Sequence, residues 1–157
     1  MNLLQRENPL GWCHYSTARL GCHSHPPGCK ICLEVPDTPG EGARILTALQ
    51  QEGINLLACC GFPLPSGKVQ IDLVPEKGEA LRKVARKLDV QLSDPKKAFL
   101  IQGRDRIGAV AETFTKLAKE NINLVAAQAL SSGSGHWAMI LWVKPADYQQ
   151  ASKVLRG

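Results

Sequence analysis

The stretch DTPGEGARILTALQQEGINLLA at residues 37–58 returns, shifted by 68 positions, as DRIGAVAETFTKLAKENINLVA at residues 105–126. No gap is needed, and ten of the 22 positions are identical. They include Asp37/Asp105, Gly40/Gly108, Leu49/Leu117, Glu52/Glu120, Ile54/Ile122 and Asn55/Asn123. The match continues at Ser66/Ser134 and Gly67/Gly135, and upstream Ile31, Leu33 and Val35 fall on Phe99, Ile101 and Gly103. One unit of about 65 residues is therefore present twice.

Each unit can be read by periodicity. Residues 30–35 alternate as a half-buried strand does. Thr38, Pro39 and Glu41 suit an N-cap, a first helical position and a capping box, and Gly53 suits a helix end. Ala43, Leu46 and Leu49 define the expected buried face of that helix. Strands are expected at 55–62 and 68–74, with a turn between them, then a helix over 78–88 burying Leu81, Val84, Ala85 and Leu88. Residues 90–92 are the expected closing strand. The second unit repeats the order with strands at 98–102, 123–130 and 137–143. Its helices cover 107–121 (Val110, Ala111, Phe114, Leu117 and Ala118 inward) and 146–156 (Tyr148, Ala151 and Leu155 inward). The chain stops at Gly157 before a matching last strand.

The expected fold class is α+β: two ferredoxin-like βαββαβ units in tandem, the second lacking its last strand. Each is an antiparallel sheet with helices on one face. The expected organisation is an irregular Cys/His-containing extension at 1–28, a first unit at 29–95 and a second at 96–157, closely packed across a short polar junction.

The strings Asp37-Thr38-Pro39-Gly40 and Glu52-Gly53-Ile54-Asn55-Leu56 resemble the ACT domain, a βαββαβ regulatory module. Asp105-Arg106-Ile107-Gly108 and Glu120-Asn121-Ile122-Asn123-Leu124 resemble it more loosely, with no Pro and with Arg106 in place of Thr38. The resemblance implies a non-catalytic binder of small molecules, an amino acid effector above all. It also implies units paired side by side, with the effector at their interface against the first strand-to-helix loop. The implied ligand-binding residues are Asp37, Thr38, Pro39, Gly40 and Asn55, with Asp105, Arg106, Ile107, Gly108 and Asn123. The chemistry of the residues agrees. A helix N-terminus offers open N–H groups and partial positive charge to a carboxylate. Glycine lets a ligand approach the backbone, aspartate accepts from an ammonium, and an Asn amide both donates and accepts. Turn and cap chemistry alone also accounts for these residues.

Residues 1–28 fit neither repeat. Cys13, His23 or His25, Cys29 and Cys32 carry the thiolates and imidazoles that zinc prefers, though no standard finger spacing is present. Their alternative is an unstructured leader. The Cys29-x-x-Cys32 pair falls before or within the first strand, unlike the loop pair of heavy-metal-associated domains. Cys59 and Cys60 are adjacent on an expected strand and so face opposite ways, one toward the core and the other toward the unit interface.

Composition narrows the function classes. The 157 residues are 44% hydrophobic and 21% charged, ordinary for a packed protein. The longest apolar run, Trp137 to Val143, is far short of the roughly 20 residues that span a bilayer. No secretory signal is read at the start, so a reducing, cytoplasmic setting is expected, with no disulfide framework. The net charge of +5 is scattered, and its densest group, Arg82, Lys83, Arg86 and Lys87, reads as a solvated helix face. Aromatics are 5%, and Trp137 and Trp142 face opposite ways, against an RNA-stacking sheet. His136, the one histidine in the repeats, has no nucleophile at catalytic spacing, and there is no Walker loop. The expectation is therefore no enzyme, no cofactor, no nucleic acid and no membrane. It is a tandem regulatory module binding an amino acid and acting on a separate target enzyme, as a homo-oligomer because the open edge beside 98–102 invites pairing. A ligand-free structural module and a metal-binding protein are the alternatives.

Overall fold

The structure is a computed structural model that describes residues 29–131 and 133–156. The chain divides into two compact units between Ala98 and Phe99. In the first, β1 (Cys29–Pro36), α1 (Glu41–Gln51), β2 (Leu56–Leu64), β3 (Lys68–Pro75), α2 (Gly78–Lys87) and β4 (Lys96–Lys97) follow one another. The strands form an antiparallel sheet of order β2-β3-β1-β4. In the second, β5 (Phe99–Arg104), α3 (Ala109–Lys119), β6 (Leu124–Ser131), β7 (His136–Val143) and α4 (Tyr148–Arg156) make an antiparallel sheet of order β5-β7-β6. The fold is α+β, as expected.

The repeat extends to strand register. Cys32 pairs with Asp72 across β1 and β3, and Leu100 with Ile140 across β5 and β7. Both register breaks in the outer strands, at Leu56/Ala58 and Leu124/Ala126, are also 68 residues apart.

Packing follows strand alternation. Ile31, Leu33 and Val35 of β1 join Ile71 and Leu73 of β3 against Ile45 and Leu49 of α1 and Leu81 and Val84 of α2. Leu73 is fully buried, and truncating such a leucine to alanine costs about 2–5 kcal/mol. Phe99 of β5 stacks on Tyr148 of α4 with ring centroids 4.7 Å apart. The central strands β3 and β7 end in five consecutive buried residues, so they are buried on both faces.

Several local readings need correction. The buried stripe of α1 is Ile45 and Leu49, while Leu46 is 42% exposed and Ala43 is exposed. On α3 the stripe is Ala109, Thr113 and Leu117, while Phe114 is 41% exposed and Ala111 and Ala118 are exposed. Both helices are rotated by about one residue from the expected face. On α4 Ser152 joins Ala151 and Leu155 inside, and Tyr148 is half-buried. Residues 90–92 supply only a bridge from Leu92 to Leu33, and the strand on the other edge of β1 from β3 is β4, at Lys96–Lys97. Trp137 and Trp142 do face opposite ways, and both are buried.

Candidate functional site

The loop from β1 to α1 is shaped by backbone hydrogen bonds. Thr38 N–H donates to the Pro36 carbonyl at 2.9 Å, and Glu41 N–H to the Thr38 carbonyl at 3.3 Å. Asp37 N–H reaches across to the carbonyl of Gly67, in the turn between β2 and β3, at 3.2 Å. The second unit repeats this bond from Asp105 to Gly135 at 2.9 Å. The N-cap of α1 is Gly40 at φ 99°, with no side-chain cap, and Gly108 caps α3 at φ 87° in the same way. Thr38 is thus not the cap, and Glu41 makes no capping box. A side chain at residue 40 would strain this left-handed backbone, and the glycine leaves the first-turn amides without a side-chain acceptor. Glu41 instead holds Arg44, with Oε2 taking donors from Nη2 at 2.8 Å and Nε at 3.2 Å.

Beneath this helix start lies a hollow of about 240 Å³. Val35 and Pro36 of β1, Val69 and Ile71 of β3 and Leu46 of α1 are its apolar walls. Gly42, Gly61, Cys59 and Cys60 also line it, and Thr38 and Glu41 are its polar lining. An added Cβ at Gly42 would meet nothing within 4 Å, so the glycine itself keeps space open.

Of the residues implied by resemblance, Thr38 lines this hollow, and Asp37, Pro39 and Gly40 lie in the adjoining loop. Asn55 is not brought to them. It precedes Leu56, which pairs with Pro75, whereas the loop follows Pro36, which pairs with Lys68. Six or more residues at about 3.3 Å each therefore put Asn55 roughly 20 Å away along the strands. There its Nδ2 donates to Glu76 Oε2 at 3.4 Å and its carbonyl accepts from Glu76 N–H at 2.9 Å. Asn123 precedes β6 in the same way, across the second sheet from Asp105. Asp105 accepts a hydrogen bond from the Ser131 hydroxyl, Arg106 pairs with Glu112, and Ile107 is fully exposed.

The sequence reading missed Glu41, Gly42, Leu46, Gly61 and Val69 as lining. The available signal was two glycines, at 42 and 61, that the second unit replaces with Val110 and Ala129. Cys59 pairs with Leu73 on the helix side and Cys60 with Asp72 on the other side. Among the candidate metal ligands, Cys29 and Cys32 lie on β1 three residues apart and project from opposite faces. Cys13, His23 and His25 lie outside the described residues.

The helix-free face of the first sheet carries a second polar group. Lys30 Nζ meets Asp72 Oδ2 at 2.5 Å, and Gln70 Nε2 donates to Asp72 Oδ1 at 2.7 Å. Lys30 is 9% and Asp72 6% exposed. Cys32 stands beside them, and its backbone bonds Ser93 in both directions. Burial works to raise the Asp72 pKa, but hydrogen bonds from Lys30, Cys32 and Gln70 outweigh it and hold the carboxyl below its ordinary range. Burial works to lower the Lys30 pKa, and Asp72 outweighs it, holding the ammonium above its ordinary value. Burial, with the Asp72 carboxylate close by, raises the Cys32 thiol.

No family model matches the chain, and no curated protein matches it. Solved structures do. A Bacteroides thetaiotaomicron protein superposes with a TM-score of 0.72 at 14% identity, over 82% of this chain and 86% of that one. The ligand-free regulatory subunit of aspartate kinase from Thermus thermophilus has a TM-score of 0.59 at 18% identity, over 81% and 89%. The regulatory subunit of aspartate kinase from Thermus flavus has 0.52 at 21% identity, over 81% and 89%. These likenesses establish the fold.

Proposed function

We propose that this chain is a non-catalytic, ACT-type regulatory protein that binds a free amino acid at the start of α1 in the first unit. The observation that carries this reading is the glycine-capped helix with no side-chain cap, standing over a hollow with a carboxylate on its lining. The first-turn amides suit the ligand carboxylate. Both contacts from Arg44 end on Glu41 Oε2, which supports Oε1 as the acceptor for the ammonium. The fold is shared with chains described as regulatory subunits of aspartate kinase, which supports a regulatory output through a separate enzyme. Binding acts by population shift: the ligand favours one arrangement of loop and sheet, and the partner reads the difference.

The test is thermal unfolding of the full chain with each of the twenty amino acids. A ligand at a hundred times its Kd stabilises the bound state by about 2.7 kcal/mol, and about 1 kcal/mol moves Tm by roughly 4–8 °C in a domain of this size. A shift of several degrees with one chemical class is expected. No shift with any amino acid removes the reading. The residual case is a structural module, favoured by β6, an outer strand with Val125 64% and Leu130 58% exposed. Such an edge pairs readily with another chain, and light scattering reports the resulting homo-oligomer.

A further inference from the structure

We infer that the hollow selects an amino acid with an uncharged, branched aliphatic side chain, and that the first unit alone offers this site. The inference rests on the amino-acid reading above and specifies its ligand. At about 240 Å³ the space lies below the roughly 300–1,000 Å³ of sites for drug-sized ligands, so it suits a small molecule. Its walls are Val35, Leu46, Val69 and Ile71, and Glu41 is the one charged residue lining it. A charged side chain entering this space loses its hydration and finds apolar neighbours, which is costly. An aliphatic one gains burial against four matching side chains.

The second unit carries different side chains at the equivalent places. At the 68-residue equivalents, Gly42 becomes Val110, Leu46 becomes Phe114, Gly61 becomes Ala129 and Val69 becomes Trp137. These four replacements are larger, whereas Val35 becomes Gly103 and Cys59 becomes Ala127. Trp137 pairs with Gly103 across β5 and β7 and is 4% exposed, on the face where Val69 borders the hollow of the first unit. The polar lining changes as well, from Glu41 to Ala109, which removes the ammonium acceptor.

Isothermal titration of the full chain decides this. L-valine, L-leucine or L-isoleucine is expected to bind with one site per chain, while L-lysine, L-aspartate and L-threonine give no heat. The double variant Gly42→Val with Leu46→Phe copies the second unit at two tolerant positions, and it is expected to weaken binding at least tenfold while keeping the Tm. Cys59, exposed and on the lining, adds a readout on the unaltered chain: L-leucine slows its alkylation by N-ethylmaleimide, and L-lysine does not. Binding of a charged or hydroxyl amino acid alone overturns the inference and leaves the amino-acid reading standing. Silence with all twenty amino acids overturns both. Two sites per chain, or undiminished binding by the double variant, overturns the single-site assignment.

Discussion

The two units share a backbone plan down to the strand register, yet they spend their buried positions differently. On the helix-free face the first unit carries Lys30, Cys32, Gln70 and Asp72; at the 68-residue equivalents stand Ala98, just before β5, and Leu100, Ala138 and Ile140. At the start of the first helix one unit keeps a hollow, and the other has larger side chains at four of the corresponding positions. Duplication thus supplied two frames of one geometry. The second has apolar residues where the first has its ion pair and larger ones at four positions of the hollow, and the first kept polar residues and open space there. Bulk suits a stable scaffold. Buried charge and unfilled space sacrifice stability and are kept where something must be specified or bound.

The largest effect that tests this contrast lies at the buried ion pair. Asp72→Ala leaves the Lys30 ammonium buried without its carboxylate, and it should cost about 3–5 kcal/mol in chemical denaturation. Lys30→Ala with Asp72→Ile rewrites the pair as the residues 68 positions on, Ala98 and Ile140, and it should recover most of that loss, because a well-packed apolar pair is often as stable as an ion pair. If the double variant is as unstable as the single one, the two faces are not interchangeable and the contrast breaks. The pair also sets a pH window. The Asp72 pKa is depressed on folding, so its contribution is present above its unfolded value of about 3.9 and is lost as pH falls through the folded one. The Lys30 pKa is raised, so its contribution is present below about 10.4 and is lost as pH rises through the folded value. The apolar double variant should lack both of these losses in a stability–pH profile.

A middle-sized effect separates shared geometry from unshared function. Gly40→Ala and Gly108→Ala each force an alanine to φ near 90°, with nothing within 4 Å to clash. Each should cost about 1–3 kcal/mol for the left-handed backbone alone. The two costs should match, but only Gly40→Ala should weaken amino-acid binding in titration. Equal loss of binding from both variants would place a working site in each unit.

The smallest effect is on the surface of the first unit. Glu52, just past α1, is hydrogen-bonded by Lys87 and Lys83, which hold its pKa at about 2. Lys87→Met should return the Glu52 titration toward the usual carboxylate range in an NMR pH series. Thermal stability should hardly move, since exposed pairs contribute little.

Much of this was legible before any coordinates. The identities at Gly40/Gly108 and Gly67/Gly135 marked two turns that need glycine, and both pairs adopt positive φ. The face of α1 was not legible, because Ile45 and Leu46 are adjacent and both apolar, and helical period alone cannot choose between neighbours. The distance from Asn55 to the β1–α1 loop was not legible either. Both belong to the recognisable string, but a helix takes the chain back along the sheet between them. The Lys30–Asp72 contact joins residues 42 apart in the chain. Alternation put both on the helix-free face, and nothing in a single sequence showed that this face is buried.

The order of elements, the duplication and the glycine turns were determined by local sequence, because backbone preference and hydrophobic period act over a few residues. The hollow, the ion pair and the one-residue rotation of the helices were decided only by tertiary structure. Each depends on the volume and charge of side chains that the fold brings together from distant parts of the chain, and close packing tolerates neither overlap nor an unpaired buried charge.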